Sequence, residues 1–181
     1  MIFAQRCVSV AWLVVVAMSM PSRAIAQEVI FIVRHAERVD GSSDAALSAE
    51  GEARARTLAR HLRDAGVDAI YSTTYRRTLG TAAPLAEVLG LEVRTEPTHD
   101  IGTMMNSDPA VGRYVEGLIA QLEDHHGADR VLIVGHANTV PALLTALGHP
   151  KSISIGASEY NNLFVVMPGE EGPPTVLRIR F

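Results

Sequence analysis

The chain has a single cysteine among 181 residues, Cys7. A domain beginning after it has no thiol, which excludes disulfides, a cysteine nucleophile and a cysteine-ligated metal. None of the seven histidines stands at the i, i+4 spacing of a helical zinc site. Basic charge is also scarce: 16 Lys and Arg against 20 Asp and Glu, a formal net charge of −4. No basic patch points to a nucleic-acid partner. The chain has no internal repeat, no low-complexity tract and no interdomain linker. Its longest apolar run, Val8 to Met20, falls short of the roughly 20 residues that a spanning helix needs.

That run has a context of its own. Arg6 supplies a positive start, Pro21 breaks the run, and Ala24-Ile25-Ala26 forms a small-residue cleavage site. Residues 1–26 read as a secretory signal peptide. Cleavage before Gln27 leaves residues 27–181 as one domain of 155 residues, with 14 basic and 20 acidic side chains. That is long enough to bury a core without disulfides. The expectation is a periplasmic or secreted protein with no membrane span after cleavage.

Within the domain, strands and helices alternate. Strands are expected near 28–34, 68–72, 91–95 and 131–134, with closing strands at 163–167 and 176–179. Short runs of aliphatic and β-branched residues such as Val29-Ile30-Phe31-Ile32-Val33 suit buried parallel strands. Helices are expected from the Ser48 cap to about Ala65, from Tyr75 to Leu89, from Pro109 to about His125, and from an Asn138 or Thr139 cap to Leu147. Gly66, Gly90 and Gly127 stand where these helices should stop. The βαβα order predicts an α/β three-layer sandwich: a mostly parallel central sheet with helices on both faces.

Two strand ends carry histidines: Val33-Arg34-His35-Ala36-Glu37 and Val134-Gly135-His136-Ala137-Asn138. Open α/β sheets keep their ligand crevices at strand carboxyl ends. An arginine next to His35 repels a metal cation, so no metal is expected there. It suits an oxyanion, because guanidinium matches phosphate in a bidentate fork. His136 and Ala137 precede a helix whose free N–H groups attract anions. The segment from Tyr71 to Thr78 brings Arg76 and Arg77 to the same sheet edge. Two histidines, at least two arginines and a helix N-terminus describe a phosphoryl site that uses no metal.

These segments resemble the histidine phosphatase superfamily, in its phosphoglycerate mutase-like branch. Arg34-His35-Ala36-Glu37 stands where that family has Arg-His-Gly. Leu47-Ser48-Ala49-Glu50-Gly51 is similar to its Leu-Thr-x-x-Gly helix start. Tyr71 to Ala82 is similar to its Tyr-Ser-Ser-Pro-x-x-Arg-Thr segment, with Arg77 as the family arginine, and Gly135-His136 matches its second histidine. The resemblance implies a phosphoglycerate mutase-like fold and a phosphomonoester hydrolase that needs no cofactor. His35 would carry the phosphoryl group, and Arg34, Arg77 and His136, with Ala137 beside it, would bind the substrate phosphate. His35 must be neutral to attack, whereas His136 is more useful protonated. A backbone carbonyl on the far nitrogen of His35 would help to set the two apart. Asp100, and after it Glu37, are the expected proton donors to the leaving alcohol, with Glu96 nearby. Four residues depart from the family pattern: Ala36 for Gly, Thr73-Thr74 for Ser-Pro, and Gly80 for Gln. None of them is expected to matter for phosphoryl chemistry. Two other readings compete: a phosphoglycerate-type mutase, and a non-catalytic module that binds a phospho-ligand on the same fold. The expected partner is a small phosphorylated molecule.

Overall fold

The structure is a computed structural model that describes residues 29–96, 101–102, 108–169 and 172–181. The expected leader and Asp100 lie outside these residues. Six strands and four helices follow in chain order: β1 (Val29–Arg34), α1 (Ala49–Leu62), β2 (Ala69–Thr73), α2 (Arg76–Leu89), β3 (Val93–Glu96), α3 (Pro109–His125), β4 (Arg130–Gly135), α4 (Thr139–Ala146), β5 (Asn162–Met167) and β6 (Thr175–Arg180). The sheet order is β3-β2-β4-β1-β5-β6. The first four strands are mutually parallel, and β5 and β6 join antiparallel.

Each helix has a local cause. Ser48 Oγ accepts the Gly51 N–H, Asp108 accepts the Ala110 N–H ahead of a proline in the first turn, and Asn138 accepts the Thr139 N–H. α2 ends on Gly90, whose φ of 67° is left-handed and free of a Cβ penalty. α3 stops one residue before its expected glycine: His126 is the cap, with φ −133°. α1 ends at Leu62 rather than near Ala65.

Both sheet faces are covered, as the three-layer expectation requires. Phe31, Val33, Ile70, Leu132 and Val134 pack on one face against Leu58 and Leu62 of α1 and Leu85 of α2. Ile30, Ile32, Ile133 and Phe164 pack on the other against Val115 and Leu118 of α3 and Leu143 of α4. The alternation within β1 and β4 makes both strands apolar on both sides, which is why they read as unbroken hydrophobic runs.

This topology places the site. β1 and β4 are neighbours, with Arg34 paired to Gly135. The chain leaves β1 toward the α1 face and leaves β4 toward the α4 face. Helices departing to opposite faces open a crevice between adjacent strand ends. His35 and His136 each lie one residue beyond the last pair of that register.

Candidate active site

The crevice is a cavity of about 290 Å³ lined by Arg34, His35, Arg38, Arg77, Gly102, His136, Ala137, Asn138, Ser154 and Ile155. This is near the lower end of the usual ~300–1,000 Å³ for ligand pockets. No described lining residue is acidic. The His35 and His136 ring centroids are 5.4 Å apart in an edge arrangement.

His35 is 4 % exposed. Its N–H follows the sheet onto the Gly135 carbonyl at 2.9 Å. Its Nδ1 lies 2.8 Å from the Ala36 carbonyl oxygen. A carbonyl only accepts, so Nδ1 carries the proton and Nε2 keeps its lone pair. The expected carbonyl clamp on His35 is therefore present. Burial pushes the imidazole pKa down to about 3. The Ala36 carbonyl opposes this, and the Arg34, Arg77 and Arg38 charges add to it. The ring is neutral at physiological pH.

His136 is held differently. The Arg77 guanidinium donates to Nδ1 at 3.4 Å, so the proton sits on Nε2, which donates to Thr73 Oγ1 at 3.0 Å. Thr73 Oγ1 lies 2.7 Å from Thr78 Oγ1, which in turn bonds the Tyr75 carbonyl. Burial, then His35 and the three arginines, lower the His136 pKa to about 2. Against the expectation of a protonated His136, burial and the three neighbouring guanidiniums favour the neutral ring.

The arginines are anchored from behind. Arg34 donates through one terminal nitrogen to the carbonyls of Gly156, Ala157 and Glu159, and its guanidinium lies 4.0 Å from the Tyr160 ring centre. Arg77 donates to the Ser43 carbonyl at 2.6 Å and lies 4.1 Å from the Tyr75 ring centre. Among the described residues, Arg34 Nε and Arg77 Nε are both buried without an acceptor. An unsatisfied buried donor costs about 1–3 kcal/mol, and an oxyanion in the pocket would supply the acceptor.

The model of the histidine phosphatase superfamily (branch 1) matches residues 30–100. Over that stretch the chain is similar to this superfamily. A protein named "Probable phosphoglycerate mutase GpmB" from Yersinia enterocolitica is 36 % identical over 75 residues, covering 38 % of this chain and 35 % of that protein. "Phosphoserine phosphatase 1" from Hydrogenobacter thermophilus is 32 % identical over 109 residues, covering 54 % of this chain and 52 % of the relative. The chain thus spans about a third to a half of the length of these curated relatives. Among solved structures, a mycobacterial glucosyl-3-phosphoglycerate phosphatase aligns with a TM-score of 0.65 at 19 % identity, over 85 % of this chain and 98 % of that one. The protein histidine phosphatase SixA, solved with tungstate, aligns with a TM-score of 0.64 at 20 % identity, over 84 % and 96 %. The shared fold is that of the histidine phosphatases.

Within this superfamily fold, Arg34, His35, Arg77, His136 and Ala137 converge on one pocket. Glu37 does not join them. Its carboxylate takes Arg54 Nε at 2.8 and 2.9 Å and Arg54 Nη2 at 2.6 Å. Burial alone would raise its pKa, but the Arg54 hydrogen bonds and charge overcome that and hold it below the usual range. A carboxylate kept ionised in this way makes a poor proton donor. Glu96 ends β3 at the sheet edge, paired with Thr73, and does not line the cavity.

Four contributors escaped the sequence reading. Thr73, expected to be immaterial, orients His136. Tyr160 stacks on Arg34, and its ring centre is 5.9 Å from that of His35. Arg38 lines the cavity. Gly102 lets the chain pass where a Cβ would collide with the Arg77 guanidinium and with His136 Cε1. Only Gly102 left a local signal, a glycine in an otherwise featureless loop. Ala36 is accommodated: it is 1 % exposed and its N–H donates to Thr81 Oγ1 at 2.9 Å.

Proposed function

We propose that this protein is a metal-independent phosphomonoester hydrolase acting through phosphohistidine. The carrying observation is the His35 clamp: Nδ1–H on the Ala36 carbonyl, Nε2 unprotonated in a pocket of three guanidiniums. Nε2 attacks phosphorus in line and forms the N–P bond as the ester P–O bond breaks. Arg34, Arg77 and His136 hold the equatorial oxygens, where charge is densest. The incoming dianion reverses the local field, so His136 takes up a proton on Nδ1 and becomes a donor. Water then attacks the phosphohistidine, releases phosphate and restores neutral His35.

The leaving alkoxide needs a proton. We assign it to Asp100, two residues before the pocket residue Gly102, because Glu37 is bound to Arg54. Export supports a scavenging role for the hydrolase. It rests on the leader pattern in residues 1–26, and among the described residues no helix is long and apolar enough to cross a membrane. The names of the relatives also favour a mutase reading, so 3-phosphoglycerate belongs among the substrates tested.

The test is phosphate release from a panel of phosphomonoesters by residues 27–181 in excess EDTA, beside His35→Ala. The expected result is turnover by the wild type, with acid-labile phosphoprotein after quenching, and neither in the variant. Isomerisation of 3-phosphoglycerate without net phosphate release would transfer the assignment to a mutase. Bound phosphate with no turnover on any ester would leave a binding module.

A further inference from the structure

Three guanidiniums line the cavity, and two of them are tied back by the protein. Arg34 spends a terminal nitrogen on three carbonyls, and Arg77 spends one on Ser43. Arg38 is different: among the described residues its guanidinium has neither a hydrogen-bond acceptor nor an ion pair. The two carboxylates beside it in sequence are engaged elsewhere. Glu37 is held by Arg54, and Asp40 accepts the Ser42 N–H at 2.8 Å.

The free side chain stands on a fixed backbone. Arg38 bridges antiparallel to Leu47, the Val39 N–H bonds the Ala46 carbonyl at 3.0 Å, and the Ser48 N–H bonds the Glu37 carbonyl at 2.9 Å. The loop therefore delivers the half-exposed Arg38 to one place, the wall of the pocket that Ser154 and Ile155 also line. One phosphoryl group has Arg34, Arg77 and His136 to neutralise it. A third cation with no internal partner exceeds what that group needs.

We propose that Arg38 is a specificity-determining residue that binds a second anionic group, carboxylate or phosphate, carried by the substrate a few bonds from its scissile phosphoryl group. The proposal rests on the phosphoryl-site reading above and narrows the substrate class to phosphoesters with two anionic ends. Arg38 touches the non-reacting end, so its contribution falls on substrate selection.

Binding tests this independently of turnover. Titration calorimetry at neutral pH compares propylphosphonate, which has one anionic end, with 3-phosphonopropionate and propane-1,3-bisphosphonate, which have two. The wild type should bind at least one of the latter pair roughly 10- to 100-fold more tightly, the gain of one charge-assisted hydrogen-bonded contact. The stronger of the two arms identifies the second anion. Arg38→Met should erase the preference. Arg38→Lys, which keeps the charge and removes the fork, should retain part of it and serves where the Met variant does not fold. Equal affinities in the wild type, or a preference that survives in Arg38→Met, overturn the proposal. Hydrolysis of propyl phosphate and of 3-phosphonooxypropionate, which carries a carboxylate at its far end, by the same preparation reports on the hydrolase reading separately. Preference without turnover keeps the Arg38 subsite and removes the hydrolase; turnover without preference does the reverse.

Discussion

Two sets of buried histidines in this sheet have opposite surroundings. His126 is 4 % exposed, and both its ring nitrogens are taken. Nδ1 donates to Asp129 at 2.7 Å, and Nε2 lies 2.9 Å from the Tyr71 hydroxyl and within reach of the Arg94 guanidinium. A carboxylate, a phenol and a guanidinium thus join the end of α3 to β2 and β3. His35 is equally buried, yet one ring nitrogen is clamped, the other is open, and every charge around it is positive. Burial and polarity are the same in the two sets, and partner count and partner sign separate them. A histidine satisfied on both nitrogens ties elements together. One satisfied on a single nitrogen is aimed.

The comparison breaks most sharply under truncation. His35→Ala should abolish turnover and leave the thermal midpoint unchanged or higher, since it removes a desolvated ring crowded by cations. His126→Ala should do the opposite. It removes the ring that joins the Tyr71 hydroxyl to the Asp129 carboxylate, at a cost of about 1–3 kcal/mol, a fall of roughly 2–4 °C per kcal/mol in a domain of this size. Turnover should stay within a few-fold. Calorimetry and initial rates on both variants decide it. A His126→Ala enzyme that melts like the wild type but has lost its activity would place His126 in the chemistry.

The same contrast sorts the carboxylates. Glu37 belongs with the partnered groups, so Glu37→Gln should cost little activity and show mainly as weaker anchoring of Arg54. Asp100→Asn should slow hydrolysis of alkyl phosphates by about 10²–10⁴, the usual contribution of a general acid. It should spare aryl phosphates, whose phenolate leaves without a proton. Equal losses on both ester types would mean that Asp100 does not protonate the leaving group.

Much of this was legible in the chain. The buried strands announced themselves because β1 and β4 have helices on both sides and leave no polar face. Ser48 and Gly90 marked helix ends by local hydrogen bonding and φ alone. Arg34, His35 and His136 were legible because strand ends converge by topology. The rest depends on contacts distant in sequence. Thr73 acquires its role from His136, 63 residues away, and Tyr160 from Arg34. The antiparallel sense of β5 and β6 is set by pairing, which leaves no periodic trace in a six-residue strand. Glu37 looked catalytic from its place in the motif, and only the approach of Arg54 from α1 shows otherwise.

A last effect concerns pH, and it probes the pocket histidines without touching activity. The His35 and His136 pKa values lie near 3 and 2 in the folded chain, below the ordinary 6.5. Between about pH 6.5 and 3 the unfolded chain binds protons that these rings refuse, so stability falls as pH falls through that window. The slope approaches 1.36 kcal/mol per pH unit for each ring, and the full contribution is present above pH 6.5. Carboxylates add their own acid sensitivity, so the informative quantity is a difference. The thermal midpoint of His35→Ala should decline less steeply than that of the wild type below pH 6.5, and the two should converge above it. Saturating phosphate should flatten the wild-type curve, because an anion between the rings favours the protons that the arginines exclude. Parallel curves for wild type and variant would show that His35 titrates alike in the folded and unfolded chains. The neutral nucleophile would then need another explanation.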